Sequence, residues 1–92
     1  MAIMYKPDYV KAYNNLAAAY KEKGWHGKAI TAFSKALEID PDYAQAHLGL
    51  ASIYANELKN RQKAIYHYKQ YLKLQPQGPY APQVRAWLGG SR

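Results

Sequence analysis

Residues 7–12 read PDYVKA and residues 41–46 read PDYAQA: the same proline-aspartate-tyrosine triplet, with an alanine three residues on, returns after 34 positions in a chain of 92. Self-similarity at a fixed period of this size is the signature of stacked-repeat architectures, and missing it misassigns the whole fold. Sliding the chain by 34 pairs Ala12 with Ala46, Leu16 with Leu50, Ala17 with Ala51 and Tyr20 with Tyr54. Beyond Tyr54 the register slips, and a slide of 35 pairs Ala29 with Ala64, Ile30 with Ile65, Phe33 with Tyr68, Leu37 with Leu72 and Pro41 with Pro76. One residue is therefore inserted in the second unit, within ANELKNRQK (55–63).

Each unit reads as two helices. Ala12, Leu16, Ala19 and Tyr20 recur at the i, i+4, i+7, i+8 spacing of an amphipathic helix, which the glycines of KEKGWHGK (21–28) interrupt. Ala29, Ile30, Phe33, Ala36 and Leu37 form a second stripe of the same period, ending before Pro41, a residue that cannot continue a helix interior. Asp40 or Asp42, like Asp8 in the first unit, suits an N-cap of the helix that follows. The second unit repeats the pattern over Ala46–Tyr54 and Ala64–Leu74, but NELKNR (56–61) has no glycine to match Gly24, so its turn is predicted to differ in shape. Past Pro76, the residues Tyr80, Val84, Trp87 and Leu88 predict one more helix, with Pro79 or Pro82 in its first turn and Gly89–Gly90 ending it.

Composition limits the alternatives. A chain of 92 residues is at most one domain, here 1–92, and a small one that buries a modest share of its surface. No apolar run approaches the roughly 20 residues that span a bilayer, and MAIMYKPDY lacks the basic and apolar regions of a secretory signal. The expectation is a soluble chain, cytoplasmic by default, with its compartment otherwise unknown. The absence of cysteine removes disulfides and thiolate metal sites, leaving packing to hold the fold. The net charge of +7 is spread along the chain, from Lys6, Lys11 and Lys21 to Lys69 and Lys73, with no block of five like charges. That pattern describes a solvated basic surface better than a dedicated polyanion site.

The matched columns resemble the tetratricopeptide repeat (TPR), a helix-turn-helix unit of 34 residues with an aromatic, leucine, small residue and tyrosine in its first helix, then alanine, an aromatic, alanine and a closing proline. Here these columns are Tyr13, Leu16, Ala17, Tyr20, Ala29, Phe33, Ala36 and Pro41, then His47, Leu50, Ala51, Tyr54, Ala64, Tyr68, Tyr71 and Pro76. The resemblance covers residues 8–77. It implies an all-α fold, a right-handed α-α superhelix of two repeats (about 8–41 and 42–76) followed by a capping helix (about 79–89). Ala17, Ala29, Ala51 and Ala64 then mark close helix approaches, while Leu16, Tyr20 and Phe33 fill the space between helices. Two columns depart from the pattern: His47 replaces an aromatic, and Tyr71 replaces a small alanine, as suits a residue packed near a cap.

No catalytic constellation appears. His26, His47 and His67 have no acidic or cysteine companion at the spacing of a metal or nucleophile site, and the glycines form no phosphate-cradling loop. The chain is therefore read as no enzyme, with no cofactor and no metal. The resemblance implies a scaffold whose first helices line a concave groove that receives a partner's peptide. The groove positions are Lys11, Asn14, Asn15, Ala18, Lys21 and Glu22 on one first helix, and Gln45, Leu48, Ser52, Ala55 and Asn56 on the other. This lining is polar and slightly basic, which suits an extended, mildly acidic peptide. Some members of the family grip a C-terminal carboxylate with lysine, arginine and asparagine; Asn15 matches one such column, but Gln45 and Gly49 stand where basic residues are wanted.

A second reading is homo-oligomerisation, because two units fall short of the three or so usually needed to bury a continuous core. The contact would use the N-terminal edge, where Ile3, Met4 and Tyr5 are apolar, or helix exchange across Asn56–Lys63. A chain cut from a longer array would leave the same edge open. Nucleic-acid binding is the weakest reading, since most of the ten tyrosines, Tyr13, Tyr20, Tyr54 and Tyr68 among them, fall in core columns and leave few rings free for stacking.

Overall fold

The structure, a computed structural model, describes residues 6–90, and the segment Ile3–Tyr5 proposed above as a self-association edge lies outside them. Among the described residues there are five helices and no strand: α1 (Lys6–Glu22), α2 (His26–Ile39), α3 (Ala44–Ser52, widening into a π-helical turn over Ile53–Glu57), α4 (Arg61–Leu74) and α5 (Ala81–Gly90). No helix among them is long and apolar enough to cross a membrane.

The small columns behave as their size requires. Ala17 of α1 and Ala29 of α2 are fully buried, as are Ala51 of α3 and Ala64 of α4, and with no more than a methyl group each lets two helix backbones approach closely. The turn between α1 and α2 closes on Gly24, whose φ of +81° is left-handed. The amide of Gly24 donates to the carbonyl of Lys21 (3.0 Å) and that of Trp25 to the carbonyl of Tyr20 (2.9 Å), the paired bonds that satisfy the last carbonyls of a helix.

The turn between α3 and α4 reaches the same end with one residue more. The amide of Asn60 donates to the carbonyl of Tyr54 (2.8 Å), matching the Trp25–Tyr20 bond, and that of Leu58 donates to Ile53, five residues back (3.0 Å). The π turn is thus where the inserted residue goes. Lys59 takes the place of Gly24, with φ +55°. The side chain of Asn60 then caps α4 by accepting from the amide of Lys63 (3.2 Å).

The expectation about the aspartates needs correction. Asp42 does not cap α3, whose N-cap is Tyr43 with no side-chain bond. Instead Asp40 Oδ1 accepts from the amide of Asp42 (3.0 Å), an Asx turn that shapes the inter-repeat corner and uses the carboxylate before a cap can. Pro7 and Asp8, the equivalents of Pro41 and Asp42, lie within the first turn of α1, where a proline's missing amide costs nothing. Gly89 and Gly90 are the last described residues of α5; at roughly 1 kcal/mol each against alanine, glycines discourage a helix without forbidding it.

Two cores run through the stack, and α3 serves both. Its Ala46, Leu50 and Ile53 pack into one cluster with Val10, Ala17, Ala29, Phe33 and Ala36 of the first helix pair. Its Ala44 and Ala51 join Ala64, Tyr68, Tyr71 and Val84 in the second. The stripe predicted for α1 differs from its counterpart here. Leu50 is 2% exposed but Leu16, in the same column, is 44% exposed, and Ala12 and Ala19 are exposed with it. The reason is positional: α2 lies against α3, whereas no described element lies on the corresponding side of α1.

At the other end, α5 packs on α4. Val84 is buried, Trp87 meets Tyr68 with ring centroids 4.8 Å apart, and the hydroxyl of Tyr71 accepts from the amide of Tyr80 (3.3 Å). Tyr71, oversized for its column, therefore fastens the turn that leads into α5, and Gly78 sits where a Cβ would meet the Tyr71 hydroxyl at 2.6 Å.

Candidate functional site

A concave groove of about 640 Å³ opens between α1, α3 and α5. Asn14, Ala18 and Lys21 line it from α1, spaced three and four residues apart on one helix face. Gln45, Leu48, Gly49, Ser52 and Asn56 line it from α3 and its π turn, and Tyr80, Gln83, Val84 and Trp87 from α5 and the turn before it. Seven of the eleven groove residues read from the sequence are brought together here: Asn14, Ala18, Lys21, Gln45, Leu48, Ser52 and Asn56. Lys11, Asn15 and Glu22 are exposed but lie outside the lining, and Ala55 packs against the second core instead.

The groove is less polar than its rim residues suggest. Phe33 and Tyr68, from the second helices, form a buried aromatic floor, with Trp87 beside Tyr68. Gly49 is the reason Phe33 reaches the groove: a Cβ there would stand 2.2 Å from the Phe33 ring. Sequence reading missed the floor because Phe33 and Tyr68 occupy core columns, and a core column says nothing about which edge of the ring meets a cavity. Burial pushes the Tyr68 hydroxyl above its ordinary pKa, so it stays protonated and able to donate.

Polar groups at the rim divide into committed and free. The hydroxyl of Ser52 donates to the carbonyl of Gly49 (2.9 Å) within its own helix. Asn14 Oδ1 is buried with no hydrogen-bond partner among the described residues, an acceptor held without a donor. Lys21 is the one charged residue in the lining among the described residues. The arrangement can hold an extended chain by hydrogen bonds from asparagine and glutamine, attract one carboxylate, and accept one large apolar side chain on Trp87 and Leu48.

His47 and His67 do not face the groove. His47 is 5% exposed, and its Nε2 lies 2.8 Å from the carbonyl of Pro41. A carbonyl only accepts, so Nε2 carries a hydrogen; Nδ1 of His47 lies 3.0 Å from Nδ1 of His67, a hydrogen bond in which one ring donates and the other accepts. Burial first, then the charges of His47 and Lys63, lower the His67 pKa to about 4. The pair ties α3 to α4 and to the Pro41 corner, a structural use of the column where an aromatic was expected. Among the described residues no three or more histidine, cysteine, aspartate or glutamate side chains gather as a metal-holding group.

A tetratricopeptide-repeat family model matches residues 10–43, and a second matches residues 44–77, the two abutting where the Pro41–Tyr43 corner joins α2 to α3. No curated protein matches the chain. Together the two matches span the helix pairs α1–α2 and α3–α4, and the chain belongs to the tetratricopeptide-repeat family, whose helical superhelices are typically non-enzymatic scaffolds for protein–protein interaction.

Proposed function

We propose that the concave groove binds an extended peptide segment of a partner protein, one that carries an acidic residue and a large apolar side chain, with α5 closing the array as its cap. The observation that carries this reading is the convergence of Asn14, Lys21, Gln45, Asn56 and Gln83, from three helices, above a floor of Phe33, Tyr68 and Trp87. Polar side chains above an apolar floor are what an extended backbone with one anchoring side chain requires. Lys21 supplies the preference for acidic sequences.

The test is selection of a random peptide library on the chain, followed by affinity measurement of the enriched peptides against Asn14→Ala/Lys21→Ala. The double variant should lose at least tenfold in affinity while its helical content and melting temperature stay unchanged. Equal affinity in the double variant, or an enriched set without acidic residues, rejects the groove as the binding site.

A further inference from the structure

The side of α1 bearing Ala12, Leu16 and Ala19 is exposed, while the equivalent residues of α3, Ala46, Leu50 and Ile53, are buried under α2. On that open side, α1 and α2 form a second groove of about 400 Å³, lined by Tyr13, Leu16, Tyr20, Lys28, Thr31 and Lys35 among others. It lies on the other flank of α1 from Asn14, Ala18 and Lys21 and, among the described residues, shares none with the concave groove and has no carboxylate in its lining.

The molecule itself shows what shape fills such a place. Against the same columns of α3 lies α2, an amphipathic helix whose Ala29, Phe33 and Ala36 share one core cluster with Ala46, Leu50 and Ile53. The complementary object is therefore a helix with a small–aromatic–small stripe.

Charge supplies the remaining chemistry. Lys28 and Lys35 stand seven residues, two helical turns, apart on α2. The Lys28 ammonium is held at the groove by the rings of Trp25 (5.0 Å) and Tyr20 (5.8 Å), and the Lys23 ammonium also lies over Trp25, at 5.5 Å. A second copy of the chain complements this edge poorly. Face to face it would set Lys28 and Lys35 against the same lysines, and head to tail it would offer residues 58–92, which contain no aspartate or glutamate. We infer that this edge docks an acidic amphipathic helix of a partner protein, its apolar stripe on Leu16 and Tyr20 and its carboxylates on Lys28 and Lys35. The inference stands apart from the peptide reading of the concave groove, because the two surfaces use different residues.

The probe is a fluorescein-labelled synthetic helix with alanine, isoleucine, phenylalanine, alanine and leucine at the spacing of Ala29, Ile30, Phe33, Ala36 and Leu37 and glutamate at the remaining positions; its control carries lysine in place of glutamate. Anisotropy titrations should show the glutamate helix binding at least tenfold more tightly than the lysine helix, and losing at least tenfold in affinity on Leu16→Glu. Lys28→Glu/Lys35→Glu should reverse the preference, a gain that an unfolded protein cannot produce. Asn14→Ala/Lys21→Ala should leave the affinity within twofold. The inference fails if neither helix binds, if Leu16→Glu binds as well as the parent chain, if the groove variant abolishes binding, or if light scattering shows a dimer that Leu16→Glu converts to monomer.

Discussion

At the scale of single residues, the His47–His67 pair makes stability depend on pH in a definite direction. With its pKa lowered to about 4, against 6.5 for a free imidazole, His67 stays neutral in the folded chain at pH values where the unfolded chain binds a proton. Stability is therefore full above pH 6.5, falls as the pH drops from 6.5 toward 4, and levels below that. The groups facing His67 are His47 from α3, Tyr54 stacked on its ring from the π turn, and Tyr66 and Lys63 from α4. Because the ring is only half-buried, solvent screening reduces the effect, and a loss of about 1–2 kcal/mol between pH 7 and pH 4.5 is expected. Urea titrations at the two pH values check it, and His67→Gln should shrink the loss by more than half. The pair was not legible beforehand. His47 stands in a column that an aromatic usually fills and His67 has no companion in the sequence, and only the packing of α3 on α4 brings together rings that are 20 residues apart.

At the scale of elements, the inserted residue and the missing glycine were both legible, and their combined consequence was not. The slide from 34 to 35 located the insertion in 55–63, and the structure absorbs it as a π turn that leaves Lys59 in the conformation Gly24 adopts in the first repeat. A left-handed lysine carries about 1–2 kcal/mol of steric strain, against the roughly 0.5–1 kcal/mol that glycine's freedom costs on folding. Lys59→Gly is thus expected to raise stability by about 0.5–1 kcal/mol, read as a higher urea midpoint with an unchanged slope; a fall in the midpoint refutes this account of the turn. The caps went the other way. Aspartates at the unit boundary suggested N-caps, but Asp40 spends its carboxylate on the Asx turn, and the residue that caps is Asn60. Its signal was present as an asparagine immediately before the apolar stripe of α4.

At the scale of the whole molecule, repeats contact only their neighbours, so cooperative unfolding depends on the interface between them, formed chiefly by α2 and α3. Gly49 of α3 stands in it against the Phe33 ring of α2. Gly49→Ala overpacks this contact and is expected to cost about 1–3 kcal/mol, with a shallower urea transition as the two repeats begin to unfold separately. A cost below about 0.5 kcal/mol would show that Phe33 repacks freely. Period, helix pairing, the small columns Ala17, Ala29, Ala51 and Ala64, and the position of the irregular turn can all be read from the chain, because each depends on residues close in sequence and on a period that repeats. Packing alone separates Leu16 from Leu50: two identical residues in one column differ in exposure, 44% against 2%, because burial depends on the neighbour and not on the residue. The same holds for the aromatic floor of the groove, where helices from both repeats and α5 must meet before Phe33, Tyr68 and Trp87 share one surface.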